Sequence, residues 1–570
     1  MTAVQPETVT PARPETPARE TPAVVPALLI GLIAFLIIRG PATLGPTSIL
    51  WLGQYDQAMH TLGWWFFRDA PWGWPPGASP LYGLEIASGV GLSDSLPLFA
   101  FPFKLLSPWL PKTFQYWGYW HLLSFMLQAL FAALIAHELR LSRPMALIAA
   151  LFCVFQPAFL ARLDVHMALS GHWTILAAIW LYLRQKPLPV WAWPLLLATV
   201  SAIHGYLMAM VFAIWAASLL QRFWQRRLRP LTTLVEIALT GTGMALVLWA
   251  VGIFMVGSVG SWGFGQFRMN LLGPLNPDHF FSLLLNGVTT NVYEWEGINY
   301  IGLGIFLALA IVLAGLRRDT LKPLLGSAYL PLLLAALAMA LFALSHRVAL
   351  GSIELFTIPL PSWLEKFFNI FRSSGRMFWP LGYLIIFASL TLLSRQLSAT
   401  RALVIAAIAI FVQVEDSQRG WRALYVGENK IGATWQTALI SPAWQALAPH
   451  YQRVRVIPVE NEPPSWRELS WYAETHGMAT DAAYLGRVDP DALAAANTTA
   501  QQALRDGSFD PGAIYVLDPK SAAATAELLQ PGDLLARIDK LVVFARGGKA
   551  LLEAEGIAVT PYVPPPPSGG

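Results

Sequence analysis

Four segments of this chain set carboxylates, imidazoles or guanidiniums among apolar residues where they could do chemistry. The first, Trp51–Asp94, reads "WLGQYDQAMHTLGWWFFRDAPWGWPPGASPLYGLEIASGVGLSD". A carboxylate near a lipid boundary is costly unless it is paired or used, so Asp56 is a candidate general base for an acceptor hydroxyl. Its other reading is a partner of Arg68 or a helix cap. Arg68 and Glu85 are candidate substrate contacts in the same segment, and Asp94 is a further carboxylate there. The second segment, "ARLDVHMALSGHW", supplies Asp164, His166 and His172. Their spacing fits no standard zinc motif, and a structural hydrogen-bond cluster would use the same residues. The third runs from "GSWGFGQFRMNLLGPLNPDHF" to "NVYEWEGINYIGLG". Its Arg268, Asn270, Glu294 and Glu296 give the hydrogen-bonding density that a polyhydroxylated ligand needs, or that a well-capped re-entrant loop needs. Gly263 and Gly265 there lack the strand and third glycine of a dinucleotide motif. The fourth, "FNIFRSSGRMFWP", places Arg372 and Arg376 four apart, on one face if helical. Two guanidiniums at headgroup depth suit a phosphate or pyrophosphate; interfacial snorkelling is the plainer reading.

The elements that must position these groups are apolar. The 570 residues are 55% hydrophobic and 13% charged, with mean hydropathy +0.50, about half the charge of a soluble domain. That composition implies an α-helical polytopic membrane protein. Roughly eleven spans are expected, near Val24–Ile38, Phe114–Glu138, Pro144–Leu160, His172–Leu183, Val190–Ile203, Tyr206–Leu220, Leu231–Val256, Ile298–Leu316, Leu324–Leu344, Met377–Leu393 and Arg401–Val414. Leu96–Leu110, broken by Pro97, Pro102 and Pro108, reads as interfacial.

Loops with Arg140 and Arg143, with Arg184 and Lys186, with Arg222 to Arg229, with Arg317, Arg318 and Lys322, and with Arg395 and Arg401 carry the basic residues. The positive-inside rule puts them in the cytoplasm. Trp51–Asp94 and the carboxyl-terminal region then face the periplasm of a bacterial inner membrane. Residues 1–22 read as a disordered tail, 23–414 as the bundle, 415–560 as a soluble α/β domain and 561–570 as a flexible tail. In the α/β domain "VRVIPV", "AIYVLD" and "KLVVFA" are expected strands, with helices at Trp466–His476, Pro490–Asp506 and Ser521–Leu529. A net charge of +4 gives no reason to expect nucleic acid, and a single cysteine, Cys153, excludes an intrachain disulfide.

The series "QYDQAMHTLGWWFFRDAPW", "HMALSGHW", "FRMNLLGPLNP", "YEWEGINYIGLG" and "FRSSGRMFWP" resembles an uncharacterised bacterial family of multispanning membrane proteins. The layout in turn resembles the GT-C superfamily of glycosyltransferases. That second resemblance implies a polyprenyl-phosphate-linked sugar donor, a lipid or glycan acceptor and an inverting displacement, with Asp56 as base and Arg372 or Arg376 on the donor phosphate. Asp56 is flanked by Tyr55 and Gln57, so the paired acidic motif of some relatives is missing, and the loop has no Asp-X-Asp pattern. No cofactor and no metal ligand is assigned on this reading; a divalent metal is left open. Two other functions fit a bundle of this kind. A flippase for a lipid-linked glycan needs polar residues through the bilayer midplane; the expected spans show few, with Gln128 and Glu236 as isolated exceptions. A non-catalytic envelope-assembly scaffold would work through its outer domain, with Tyr484 and Arg487 as contact candidates.

Overall fold

The computed structural model describes residues 21–86, 88–184, 188–257, 262–288, 290–315 and 326–564. Residues 1–20 and 565–570 of the two expected tails, with Lys186, Arg317, Arg318 and Lys322, lie outside the described residues.

Each expected apolar stretch holds a helix: Val24–Ile38, Trp117–Glu138, Arg143–Val154, Trp173–Leu183, Ala192–Ser201, Gly205–Trp224, Pro230–Ala250, Leu303–Ala314, Leu330–Leu344, Trp379–Gln396 and Ala399–Asp416. Pro144, Pro230, Pro331 and Pro380 sit at the first or second helical position, where the missing N–H has no partner to lose. By length and composition four are long and apolar enough to cross a membrane: Trp117–Glu138, Gly205–Trp224, Pro230–Ala250 and Ser374–Gln396. The protein is thus a membrane protein, while a count of eleven crossings goes beyond what the helix lengths show. Trp173–Leu183, for instance, has 11 residues, which reach only about 16 Å against a hydrocarbon core of about 30 Å.

Glycines let helices touch. A Cβ on Gly31 would stand 2.5 Å from the Phe125 carbonyl oxygen, and one on Gly304 2.0 Å from that of Ala409, the close backbone approach that replaces hydrophobic driving force in lipid. Neither Glu236 nor Gln128 is isolated. Glu236 accepts from Arg222 Nη2 at 2.7 Å and from Trp215 Nε1 at 2.8 Å. Gln128 Nε2 donates to Tyr383 Oη at 2.6 Å and to the Cys153 carbonyl at 3.2 Å.

An antiparallel hairpin, β1 (Arg347–Leu350) and β2 (Ile353–Thr357), interrupts the helical part, with a bulge at Val348/Ala349. The carboxyl-terminal region forms a mixed sheet in the order β4-β3-β5-β7-β6-β8. Its strands are β3 (Arg453–Ile457), β4 (Ala479–Thr480), β5 (Ala513–Leu517), β6 (Leu534–Ile538), β7 (Leu541–Ala545) and β8 (Thr560–Pro561). Strands β3, β4 and β5 are parallel, and β7 runs antiparallel to β5 and β6. β3 ends at Ile457, immediately before Pro458, which has no N–H for a ladder. Helices Trp466–Thr475, Pro490–Asp506 and Pro519–Ala526 follow where the sequence places them.

This domain docks on the first long loop. Tyr82 forms a parallel bridge with Thr480 of β4, backed by Gly83 N–H to the Thr480 carbonyl at 2.7 Å and Thr480 N–H to the Leu81 carbonyl at 2.9 Å. Glu85 pairs with Arg455 at 2.7 Å. Trp65, Trp435 and Trp471 form a ring cluster with centroid separations of 5.1 to 5.2 Å. Lys112 Nζ donates to the Thr475 carbonyl at 2.8 Å.

Beside that contact Glu474 is buried. Burial raises its carboxyl to about 7, Asp69 adds to the rise, and Lys112 and Arg68 oppose it. A carboxyl with a raised folded-state value stabilises fully below its unfolded value, and that contribution is lost as pH rises through about 7. Glu474→Gln should therefore be more stable than wild type at pH 8, by on the order of 3 kcal/mol, and melt higher. The gap should close by about pH 4.5; thermal melts of both proteins in detergent across that range check it.

Candidate active site

The helix Tyr55–Asp69 carries Asp56 in its first turn, where a negative charge is favoured, and His60 one turn later on the same face. Three short turns converge on this helix end. One carries Arg162, Asp164 and His166, with His166 in the left-handed region at φ +52. The second is the 3-10 turn Glu294–Gly297 and the third the turn Ser374–Phe378 that holds Arg376.

His166 stands between two carboxylates. Its Nδ1 is 3.5 Å from Asp56 Oδ2, and its Nε2 is 3.4 Å from Glu296 Oε1. Glu296 Oε2 accepts from Arg376 and lies 4.0 Å from Arg162 Nη1. Burial alone would raise the Glu296 carboxyl, but Arg376, His166 and Arg162 together hold it well below the usual carboxylate range. Arg162 is fully buried, and among the described residues no hydrogen bond reaches its guanidinium; burial and the Arg376 charge bring it down to about 10. The Arg376 guanidinium also lies over the Tyr206 ring, 4.9 Å from its centroid, and Tyr206 Oη accepts from the Ser373 N–H at 2.7 Å.

A cavity of ≈270 Å³ opens beside this network. Its polar wall is His166, Asp94, His204, Glu296, Arg372, Arg376 and Arg487, and its apolar wall includes Met59, Met208, Val251 and Phe371. Burial raises the Asp94 carboxyl against the pull of His166, Arg376 and Arg487. Burial and then the charge of Arg376 keep the His204 ring well below its ordinary value, so its 3.9 Å approach to Asp94 joins a neutral ring to an acid. His60, which burial lowers to about 3, is likewise neutral. Arg372 and Arg487 make no ion pair among the described residues; Arg487 donates to the Ile370 carbonyl, and Arg372 lies 5.7 Å from the Phe267 ring centroid. A second, apolar cavity of ≈580 Å³ is lined by Ala209, Ala213, Leu334, Phe342 and Phe368, and Phe371 borders both. Among groups able to hold a metal, His60, Asp94 and His166 offer ligand atoms that all lie within 4.8 Å of one another.

Of the residues singled out from the sequence, the fold places His166, Glu296, Arg372 and Arg376 on one cavity, with Asp56 beside it, 3.5 Å from His166. Asp164 is close by, accepting from Arg39 Nη1 at 2.6 Å and Gln57 Nε2 at 3.0 Å. The others sit elsewhere. Arg68 donates to the carbonyls of Ser107, Leu110, Pro111 and Lys112 at 2.6 to 3.2 Å, and Glu85 is taken by Arg455. His172 is a core residue, with Nδ1 2.8 Å from Tyr383 Oη and its ring 4.3 Å from that of Trp379. Arg268, Asn270 and Glu294 form a buried clamp that fastens the third loop to the hairpin: Arg268 Nε to Glu294 at 3.0 Å, Asn270 Nδ2 to Glu294 at 2.9 Å and to the Gly351 carbonyl at 2.9 Å. The sequence reading passed over His60 and Arg162 and gave Asp94 and Arg487 lesser places. For His60 the four-residue step from Asp56 was the available signal.

The model described as "Domain of unknown function (DUF6311)" matches residues 28–418, and the DUF6311 C-terminal domain model matches 443–546. The chain belongs to the DUF6311 family. The first DUF6311 region holds Asp56 through Arg376, and the second supplies Arg487. No curated protein matches the chain. Among solved structures, the cryo-EM structure of the arabinofuranosyltransferase AftD from Mycobacteria is similar at 14% identity and TM-score 0.49, over 92% of this chain and 40% of that one. The DUF6311 chain therefore spans about two fifths of that neighbour.

Glu296→Gln would remove the carboxylate that ion-pairs with Arg376 and Arg162. Breaking such a buried pair from one side costs about 3–5 kcal/mol, so the variant should lose several degrees of melting temperature in detergent. An unchanged melt would show that the cations find other partners.

Proposed function

We propose that this protein is a membrane glycosyltransferase that moves a sugar from a polyprenyl-phosphate donor to a lipid- or glycan-linked acceptor. The observation that carries the reading is the cavity in which Arg372, Arg376 and Arg487 face Asp94 and His166, next to an apolar groove that shares Phe371 with it. Arg372 and Arg487, with no carboxylate partner among the described residues, suit the donor phosphate. The apolar groove suits the hydrocarbon tail, and the carboxylates suit a sugar or an acceptor hydroxyl.

In this reading the acceptor oxygen attacks the anomeric carbon as the bond from that carbon to the phosphate oxygen breaks. The acceptor proton passes to Asp56, the guanidiniums hold the leaving phosphate, and the configuration inverts. The site would lie on the periplasmic side of the inner membrane. Supporting this, the helix Trp117–Glu138 begins beside Tyr116, which donates to the Ser95 carbonyl next to Asp94, and runs about 33 Å toward the basic loop at Arg140, the end that the positive-inside rule assigns to the cytoplasm.

The test is sugar transfer in purified membranes supplied with labelled polyprenyl-phosphate sugars. Asp56→Asn should lower transfer by about 10²–10⁴-fold, and Arg372→Ala should chiefly weaken donor binding. Full transfer by Asp56→Asn would refute the assigned base. Movement of labelled lipid across proteoliposomes with no new glycosidic product would favour a flippase instead.

A further inference from the structure

We infer that His60, His166 and Asp94 form a binding site for a divalent first-row transition cation. Their ligand atoms lie within 4.8 Å of one another, and His166 and Asp94 line the polar cavity. The site is built from three separate parts of the chain: the helix Tyr55–Asp69, the left-handed turn at His166 and the loop position Asp94, also left-handed at φ +48.

A second observation points to a ligand. His60 has no solvent exposure, and among the described residues neither of its ring nitrogens meets a hydrogen-bond partner. Its ring packs at 5.5 Å from that of Trp117 and at 6.4 Å from that of His166. Sealed imidazole nitrogens normally donate or accept, so a fully buried ring with both nitrogens unpartnered is short of whatever satisfies them.

His166 shows the same want on one side. Its Nε2 faces Glu296 at 3.4 Å, which leaves Nδ1, without a hydrogen bond, 3.5 Å from Asp56 Oδ2. A cation bound at Nδ1 would take the place of a proton on that atom and meet the Asp56 carboxylate, while Nε2 stays directed at Glu296. Glu296, anchored by Arg376, then has the part usual for a carboxylate that orients a metal-bound histidine from behind. Two imidazoles and one carboxylate prefer Mn²⁺, Fe²⁺ or Zn²⁺ to Mg²⁺ or Ca²⁺, which take oxygen ligands. Asp56 is the nearest further oxygen donor.

The assignment concerns binding alone and stands whether or not the chain transfers sugar. It is tested without turnover, on full-length protein purified in detergent, stripped with chelator and titrated separately with Zn²⁺, Mn²⁺ and Mg²⁺. One equivalent of Zn²⁺ or Mn²⁺ should bind and raise the melting temperature, and Mg²⁺ at the same concentration should not. Asp94→Asn and His60→Gln should each weaken binding at least tenfold, whereas His450→Gln, at an exposed histidine of the carboxyl-terminal domain, should not. Because a core substitution at His60 can impair folding, Asp94→Asn at a partly exposed position and the metal-induced melting shift of wild type are read independently. Binding below a tenth of an equivalent by wild type, or undiminished binding by a folded Asp94→Asn variant, would overturn the inference.

Discussion

One carboxylate holds the site in shape. Glu296 receives Arg376, lies within 4.0 Å of Arg162 and faces His166, so three turns from distant parts of the chain meet on its two oxygens. Arg376 and Arg162 are buried, and neither guanidinium would be tolerated there without a compensating charge. The consequences spread outward. Arg376 is fixed against Tyr206, Tyr206 fixes the backbone at Ser373, and that backbone presents Arg372 to the cavity. On the other side His166 is held facing Asp56 and the sealed ring of His60.

The cavity is a joint product of both regions of the chain. Tyr484, Gly486 and Arg487 close one wall of it, and the Gly486 N–H to the Leu92 carbonyl at 2.8 Å ties that wall to the residues just before Asp94. The carboxyl-terminal domain is therefore more than a cap. It supplies Arg487, one of the two guanidiniums of this cavity that form no ion pair among the described residues. Charge placement also distinguishes this end of the bundle from the rest, where Arg222 and Glu236 neutralise each other and Gln128 is satisfied locally.

Much of the helical part was legible because lipid leaves the chain few options: an apolar run must satisfy its own backbone, and a helix does so. The limits appear where length and context decide. Trp173–Leu183 and Ala192–Ser201 are unmistakably apolar yet short, so pattern alone could not say what they cross. The hairpin β1–β2 went unseen because its strands are four and five residues long and its turn is a single Gly351 region at φ +59. In the carboxyl-terminal sheet β3, β5 and β7 carried strong β-branched runs, whereas β4 and β8 are two residues each and exist only through pairing. For the site, Asp56, Arg372 and Arg376 announced themselves as charges beside apolar runs. Arg268, Asn270 and Glu294 looked identical in kind, and only coordinates reveal that they bond one another and the hairpin. His60 was hidden by its own burial in an aromatic-rich helix, and Arg487 by lying in another region altogether.

The bridge between Tyr82 and Thr480 has a meaning for assembly. β4 is the margin of the six-stranded sheet, and its outward N–H and carbonyl groups are occupied by Leu81 and Gly83 from a loop some four hundred positions earlier. A bare sheet margin is a template for sticking to other chains. During synthesis the amino-terminal loop is already laid down when the last domain emerges, so the growing sheet meets a ready-made intramolecular neighbour. Severed from that loop, the same domain would emerge with an open margin and a tendency to self-associate.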